Sequence, residues 1–102
     1  MTACVRVASK YGIDISDLNI KIDQARLSPE GITAPDQTIT LTRGAFANEE
    51  QLARTLVHER YHVVDQLRAG MQYPSSRAAA RLYEDAATAF ENRRWASHPL
   101  NN

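Results

Sequence analysis

The spacing of apolar residues changes along the chain, and its first stretch has the helical period. Residues 2–11 fit a short amphipathic helix, and Gly12 is a typical residue to stop it. We therefore expect one side of this helix to face a core. The apolar residues available for that side are Val5, Val7, Ala8 and Tyr11.

The next stretch alternates apolar with polar residues, which is the period of a β-strand. The alternation is present in residues 18–23 and again in residues 38–42, where β-branched side chains also favour a strand. Turn signals occupy residues 28–31 and 34–37. We therefore predict a small antiparallel sheet of two or three strands.

From residue 45 onward the pattern returns to the helical period. Asn48 is a suitable N-cap, and Glu49 and Glu50 place negative charge in the first turn, where it interacts favourably with the helix dipole. Gly70 is a suitable end for this long helix. Its apolar positions are Leu52, Leu56, Val63 and Leu67.

A second long helix follows a break in the pattern at residues 73–76. It is predicted to run from about Arg77 to Trp95, with Pro99 closing it. Its apolar face comprises Ala79, Tyr83, Ala86, Ala87 and Phe90. The order of short helix, small sheet and two long helices predicts an α+β fold. A length of 102 residues fits a single domain that spans 1–102.

The amino-acid composition argues against several classes of protein. Lys plus Arg and Asp plus Glu number 12 each, so the basic excess that nucleic-acid binding usually shows is absent from the sequence. No apolar run approaches the ~18 residues that a membrane helix needs. Cys4 is the one cysteine, so the sequence can form no internal disulfide. We expect a soluble protein without nucleic-acid or membrane partners, either cytoplasmic or exported as part of a larger protein.

The candidate chemistry lies in residues 58–62, which read His-Glu-Arg-Tyr-His. His58 and His62 are four residues apart on a predicted helix, so both imidazoles project from one face and can reach one zinc ion at roughly 2.0–2.1 Å. Glu59 lies at the edge of that face, where it can hold a water molecule at the metal and accept its proton. Arg60 departs from the pattern, since that position is usually uncharged in such motifs.

Two other interpretations of these residues stay open at this point. The histidines can be ordinary polar positions of an amphipathic helix, in which case the chain is a helical interaction module and a chelator changes nothing. The metal site can also exist without catalysis, in a zinc-containing binding domain. Substitution of Glu59 would then leave the biological effect unchanged.

Residues 56–66 read Leu-Val-His-Glu-Arg-Tyr-His-Val-Val-Asp-Gln and resemble the active-site helix of the zincins. They particularly resemble the minimal, gluzincin-like metallopeptidase domains of bacterial polymorphic toxins and effectors, and more distantly the regulatory peptidases that cleave phage repressors. The resemblance covers residues 38–95. It implies a Zn2+ cofactor, a protein or peptide substrate, and a toxin role within a larger bacterial protein that an immunity or inhibitor protein would bind. The alternative role is a regulatory protease that cleaves a transcriptional repressor.

Catalytic zinc sites typically use three protein ligands, so the two histidines need a partner. The last predicted helix offers Glu84, Asp85 and Glu91, and helical geometry places Glu84 at the border of the apolar face while Asp85 points further away. The resembling families carry Glu-x-x-Ala-x-x-Phe in this region, which Glu84, Ala87 and Phe90 match, and this implies Glu84 as the zinc ligand. Otherwise the carboxylates are solvated residues that pair with nearby arginines.

Several side chains are candidates for supporting roles. Asp65 lies three residues after His62 on the same face, so it either orients a ligand imidazole or is a surface acid beside Arg68. A developing oxyanion also needs a hydrogen-bond donor. The candidates, which no spacing separates, are Tyr73, Tyr83 and His98.

Two further features have two interpretations each. The strand that contains Ile39 and Leu41 is either an ordinary core strand or an edge that binds an extended peptide by strand addition. Trp95 fits packing of the last helix better than substrate contact. His98 lies in a polar tail before Pro99 and is a poor candidate for a metal ligand.

Overall fold

Three helices and a three-stranded sheet make up the fold, which is α+β as predicted. A computed structural model describes residues 2–97. The elements are, in chain order, α1 (Thr2–Lys10), β1 (Ile20–Asp23), β2 (Gly31–Thr33), β3 (Ile39–Thr42), α2 (Glu49–Arg60) and α3 (Arg77–Ala96). A 3-10 turn at Arg43–Phe46 precedes α2, and a π-helical segment at Tyr61–Leu67 continues α2 without a break.

Helix α1 ends at Lys10, one residue before the predicted end, and Gly12 has a positive φ of 67°. Its packed face is slightly different from the expected one. Val5 is 56% exposed, because the residues facing the core follow the spacing i, i+3, i+4 from Cys4. The buried side chains of the helix are Cys4, Val7 and Ala8.

The sheet is mixed rather than purely antiparallel, with the strand order β1-β3-β2. The hairpin of β2 and β3 is antiparallel, and Gln37 takes a positive φ of 73° in its turn. Strand β1 pairs with the other side of β3 and runs parallel to it, so β3 is central and, within residues 2–97, the outer edge of β2 carries no strand. The antiparallel prediction is therefore right for one strand pair and wrong for the other.

Strand β3 is the central strand, so it is not available as an edge. Ile39 and Leu41 are completely buried in the core. The interpretation of this strand as an ordinary core strand is confirmed. The edge strand on the side of α2 is β2, whose residue Gly31 lies against that helix.

Helix α2 begins as predicted and carries much of the core. The side chain of Asn48 accepts a hydrogen bond of 2.8 Å from the backbone N–H of Gln51, which makes it the N-cap. Glu49 connects the start of α2 to the end of α1, because its Oε1 accepts from Lys10 Nζ at 2.5 Å and from the Tyr11 hydroxyl at 3.0 Å. The buried residues of α2 are Leu52, Ala53, Thr55, Leu56, Val57 and Glu59.

The second half of the predicted long helix changes its winding. Arg68 donates its backbone N–H to the carbonyl of Val63, five residues earlier, which is the hydrogen bond of a π-helix. A π-helical turn is a feature that is frequent at functional sites. The helical course ends at Gly70, which has a positive φ of 102°.

Helix α3 begins after Ser76, whose side chain accepts from the N–H of Ala79 at 3.1 Å. Ala79 itself is exposed, so its place on the predicted apolar face is wrong, whereas Tyr83 and Ala87 are buried. Trp95 packs against the ring of Tyr11 with 5.3 Å between ring centroids, in agreement with the packing role expected for it. Among residues 2–97 no helix has the length and apolar character needed to cross a bilayer.

Three arginines from the helical part of the chain after residue 48 form hydrogen bonds with the segment between α1 and β1, residues 11–19. Each donates to a main-chain carbonyl of that segment. The pairs are Arg60 Nε with Asp14 (2.7 Å), Arg68 Nη2 with Asp17 (3.0 Å) and Arg94 Nη2 with Gly12 (2.9 Å). The Arg60 contact explains the unusual charge in the motif, since the side chain is used in holding this segment.

Candidate metal centre

His58, His62 and Glu84 meet at one point, between α2, the π-helical segment and α3. Glu84 Oε1 lies 2.8 Å from His58 Nε2 and 3.1 Å from His62 Nε2. The three candidate ligand atoms lie within 4.8 Å of one another. The structure thus brings together the three residues that were predicted as zinc ligands.

The other two carboxylates that the sequence offered do not join this cluster. Asp85 is exposed. Glu91 lies behind His58, where its Oε1 is 3.0 Å from His58 Nδ1 and its Oε2 accepts from Arg54 Nε at 2.7 Å. Because Glu91 is seven residues after Glu84, the two carboxylates lie on the same side of α3, two turns apart.

His62 also has a buried side chain behind its ring. Gln66 Oε1 lies 2.5 Å from His62 Nδ1, and Gln66 Nε2 donates to the Tyr83 carbonyl at 2.9 Å. Asp65, which the sequence suggested for this role, is exposed. The i, i+4 spacing from His62 to Gln66 was the signal in the sequence that could have identified the glutamine.

The donor set fits a divalent metal ion such as zinc. Two imidazole nitrogens and one carboxylate oxygen are the combination found in catalytic zinc sites. In the metal-free protein a proton can occupy the same position. Burial lowers the pKa of His58, but hydrogen bonds to Glu84 and Glu91 outweigh burial and raise it to about 10. Hydrogen bonds from His58 and His62 lower the pKa of Glu84 to about 2.

Glu59 is buried beside this cluster and directed toward β2. The hydroxyl of Thr33 donates to Glu59 Oε1 at 2.7 Å, a contact that the sequence did not predict. Burial raises the pKa of Glu59 above its ordinary value, and the Thr33 hydrogen bond and the charges of His62 and His58 oppose that rise. One carboxylate oxygen is therefore held in place by the edge strand.

Strand β2 can approach Glu59 this closely because residue 31 is glycine. A Cβ at Gly31 would lie 2.8 Å from Glu59 Cγ and 2.9 Å from Thr55 Cγ2. Both distances are shorter than an ordinary van der Waals contact. Gly31 is thus part of the arrangement around Glu59, although the sequence marked it only as part of a turn.

A cleft of about 520 Å³ opens over these residues. Strand β2 with the loop before it forms one wall, α3 forms the opposite wall at Tyr83 and Glu84, and His58 and Glu59 lie between them. Because β2 pairs with β3 on one side only, its other edge is not covered by the sheet. This edge of β2 therefore borders the cleft beside Glu59.

Two tyrosines line the cleft in different ways. The Tyr73 hydroxyl donates to the Thr33 carbonyl at 3.0 Å. The Tyr83 ring stacks on His62 at 4.2 Å between centroids, and its hydroxyl is the one buried side-chain polar atom without a hydrogen-bond partner within residues 2–97. Burial raises the pKa of Tyr83. His98, the third candidate donor, lies outside the described residues.

The geometry agrees with the site that was predicted from the motif, and the roles of its residues remain predictions. His58, His62, Glu84 and Glu59 are adjacent, and all of them except the buried His62 line the cleft. Asp85 is not part of the cluster, and Glu91 and Gln66 occupy positions behind the two imidazoles. Comparisons with protein-family models, with curated proteins and with solved structures found no match for this chain.

Proposed function

We propose that the chain is a zinc-dependent metallopeptidase domain of the gluzincin type. The observation that carries this proposal is the convergence of His58 Nε2, His62 Nε2 and Glu84 Oε1 beside the buried Glu59. These three residues would hold the zinc ion, and the fourth position would be open to solvent or substrate. The resemblance of residues 56–66 to the zincin helix supports the same conclusion.

Glu59 is the general base of the proposed reaction. Zinc, when bound, lowers the pKa of a coordinated water toward ~7 and polarises a substrate carbonyl. Glu59 accepts the proton of the attacking water and then delivers it to the leaving amine. Thr33 holds one oxygen of Glu59 at 2.7 Å, which keeps the carboxylate in a fixed direction during both transfers.

The substrate is a protein or peptide in an extended conformation. The uncovered edge of β2 borders the cleft, and an edge strand can bind an extended segment through main-chain hydrogen bonds. Such binding places a peptide bond close to Glu59 because Gly31 of this strand lies against that side chain. Specificity would then come from the side chains that point into the cleft.

The biological role that we propose follows from the resemblance. The chain would be the toxin or effector domain of a larger bacterial protein, and an immunity or inhibitor protein would block the cleft. Two other functions are alternatives to this proposal. One is a non-catalytic zinc-containing binding domain, and the other is a regulatory protease that cleaves a repressor. Cleavage that depends on Glu59 separates the first alternative from the proposal, and the identity of the cleaved protein separates the second.

Native mass spectrometry of the purified protein tests the metal centre. We expect one zinc per chain in the wild type, loss of zinc in Glu84→Ala, and retention in the matched control Asp85→Ala. Glu59→Gln should keep its zinc but no longer cleave an unfolded protein substrate. A wild type that takes up no zinc, even after zinc is added back, would overturn the proposal and leave an interaction module as the better account.

A further inference from the structure

The two imidazoles of the candidate metal centre are contacted from behind by two different side chains, the half-buried Glu91 and the buried Gln66. Glu91 contacts Nδ1 of His58, and Gln66 contacts Nδ1 of His62. We propose that Glu91 and Gln66 are positioning residues that keep the proton of each neutral imidazole on Nδ1 and leave both Nε2 atoms free for a metal ion. This inference rests on the proposed zinc site and adds the residues that prepare it.

The orientation of the Gln66 amide follows from its second partner. Its Nε2 lies 2.9 Å from the Tyr83 carbonyl, and a carbonyl oxygen can only accept a hydrogen bond. The amide oxygen of Gln66 must therefore face His62, and an oxygen at that position requires a proton on His62 Nδ1. A neutral His62 then carries a free lone pair on Nε2, directed at Glu84.

Glu91 imposes the same tautomer on His58 with a charged group. Both of its oxygens are engaged, Oε1 with His58 Nδ1 at 3.0 Å and Oε2 with Arg54 Nε at 2.7 Å. An ionised carboxylate only accepts hydrogen bonds, so the partner nitrogen of His58 must carry the proton. Arg54 holds the carboxylate in place, since its side chain also binds Glu50 and Asn92.

The contacts of Glu91 and Gln66 have the same consequence for the two proposed histidine ligands. With both Nδ1–H groups bound to acceptors, neither ring can rotate without losing a hydrogen bond that is buried at His62 and partly buried at His58. Nε2 of His58 and Nε2 of His62 then stay at 2.8 and 3.1 Å from Glu84 Oε1, where the three atoms can bind one cation. Partners of this kind typically contribute ~10- to 100-fold to metal affinity.

Zinc affinity, measured by competition with a chromophoric chelator, tests the inference. In Glu91→Gln the new amide N–H must face either Arg54 or His58, and both of these are donors. We expect Glu91→Gln and Gln66→Leu to weaken zinc binding on the order of 10- to 100-fold. The matched control is Glu50→Gln, which removes another carboxylate from Arg54 without touching His58 and should leave zinc affinity unchanged. Equal affinity in Glu91→Gln and Glu50→Gln would overturn the role of Glu91, and unchanged affinity in Gln66→Leu that of Gln66.

A second measurement needs no variant. Two-bond ¹H–¹⁵N correlations of the imidazoles in the zinc-loaded wild type identify which nitrogen bears the proton. We expect a proton on Nδ1 and the metal on Nε2 in both His58 and His62. Metal bound through Nδ1 of either ring would contradict the inference while leaving the metallopeptidase proposal intact. A wild type without any zinc affinity would instead refute the proposed function itself.

Discussion

Gly31 of the edge strand and Glu59 of the motif helix are in contact, with 2.8 Å between Glu59 Cγ and the position of a Cβ on residue 31. The backbone φ of Gly31 is not among the positive values in the chain, so alanine is compatible with the local conformation. The methyl group of alanine would, however, have no space at this position. The contact therefore ties the strand that borders the cleft to the proposed general base.

Gly31→Ala should displace Glu59 while sparing the metal centre. The atoms nearest to the new methyl group belong to Glu59 and Thr55, not to the three proposed ligands. We expect a loss of about 1–3 kcal/mol in the free energy of unfolding from overpacking, and a marked drop in kcat. Zinc content should stay at the wild-type value. Wild-type peptide cleavage in this variant would show that the position of Glu59 is not critical.

Thr33→Val should remove the hydrogen bond that positions Glu59 without changing the shape of the site. The valine keeps the volume of Thr33 but leaves Glu59 Oε1 without its donor. Loss of a buried hydrogen-bond partner costs about 1–3 kcal/mol, which urea unfolding can measure. The control is Thr40→Val on the neighbouring strand, because the Thr40 side chain forms no hydrogen bond within residues 2–97. Equal stability losses in both variants would contradict the importance of the Thr33 contact.

Tyr83→Phe should reduce catalysis without reducing stability. The ring keeps its stacking on His62, and the hydroxyl that is removed is buried without a partner among the described residues. We expect unchanged zinc content, an unchanged or higher free energy of unfolding, and a decrease in kcat on the order of 10²-fold if the substrate oxygen accepts from this hydroxyl. Tyr73→Phe, which removes the hydrogen bond to Thr33, should lower stability by about 0.5–1.5 kcal/mol and retain more activity. The reverse pattern of activities would assign the donor to Tyr73.

Zinc should stabilise the fold measurably, since its proposed ligands join α2, the π-helical segment and α3. At a free zinc concentration ~1,000 times the Kd, binding adds about 4 kcal/mol to the free energy of unfolding. We expect a chelator to lower the Tm of the wild type. Glu84→Ala should not respond to either zinc or chelator. An equal rise of Tm with zinc in Glu84→Ala would show that the metal binds elsewhere.

The contact of Glu49 with the end of α1 predicts a pH-dependent contribution to stability. Hydrogen bonds from Lys10 and Tyr11 lower the pKa of Glu49, so its ionised form is favoured in the folded protein. That contribution is present above the ordinary glutamate pKa of ~4.3 and is lost as the pH falls through the lower folded value. Urea unfolding of Glu49→Gln should give a flatter stability profile in this acidic range, and Lys10→Met should reproduce part of the change. Parallel profiles for wild type and Glu49→Gln would contradict the prediction.

Local patterns were sufficient to predict the helices and the shared face of the two histidines. The capping residues Asn48 and Ser76 and the glycines at 12 and 70 set the helix ends through interactions within a few residues. His58 and His62 needed only the helical period to share a face. The location of Glu84 beside them required the resemblance as well, because three carboxylates were available on that helix.

Features that depend on distant residues were missed. The parallel pairing joins β1 to β3 past the intervening β2, and alternation of polarity does not encode which strands pair. The i, i+4 spacing places Gln66 near His62, but the orientation of its amide depends on the Tyr83 carbonyl of another helix. The contact of Thr33 with Glu59 requires the close approach that Gly31 permits.

The position of β2 affects how this domain can be divided. The resemblance to known peptidases begins at residue 38, yet Gly31 and Thr33, which touch the proposed general base, come before that boundary. A fragment consisting of residues 38–97 would keep every proposed metal ligand and lose one wall of the cleft. Such a fragment would have no substrate groove, and it would also lack the core residues that α1 contributes, Cys4, Val7 and Ala8. Transplanting the chemistry to another protein therefore requires the hairpin as well as the motif.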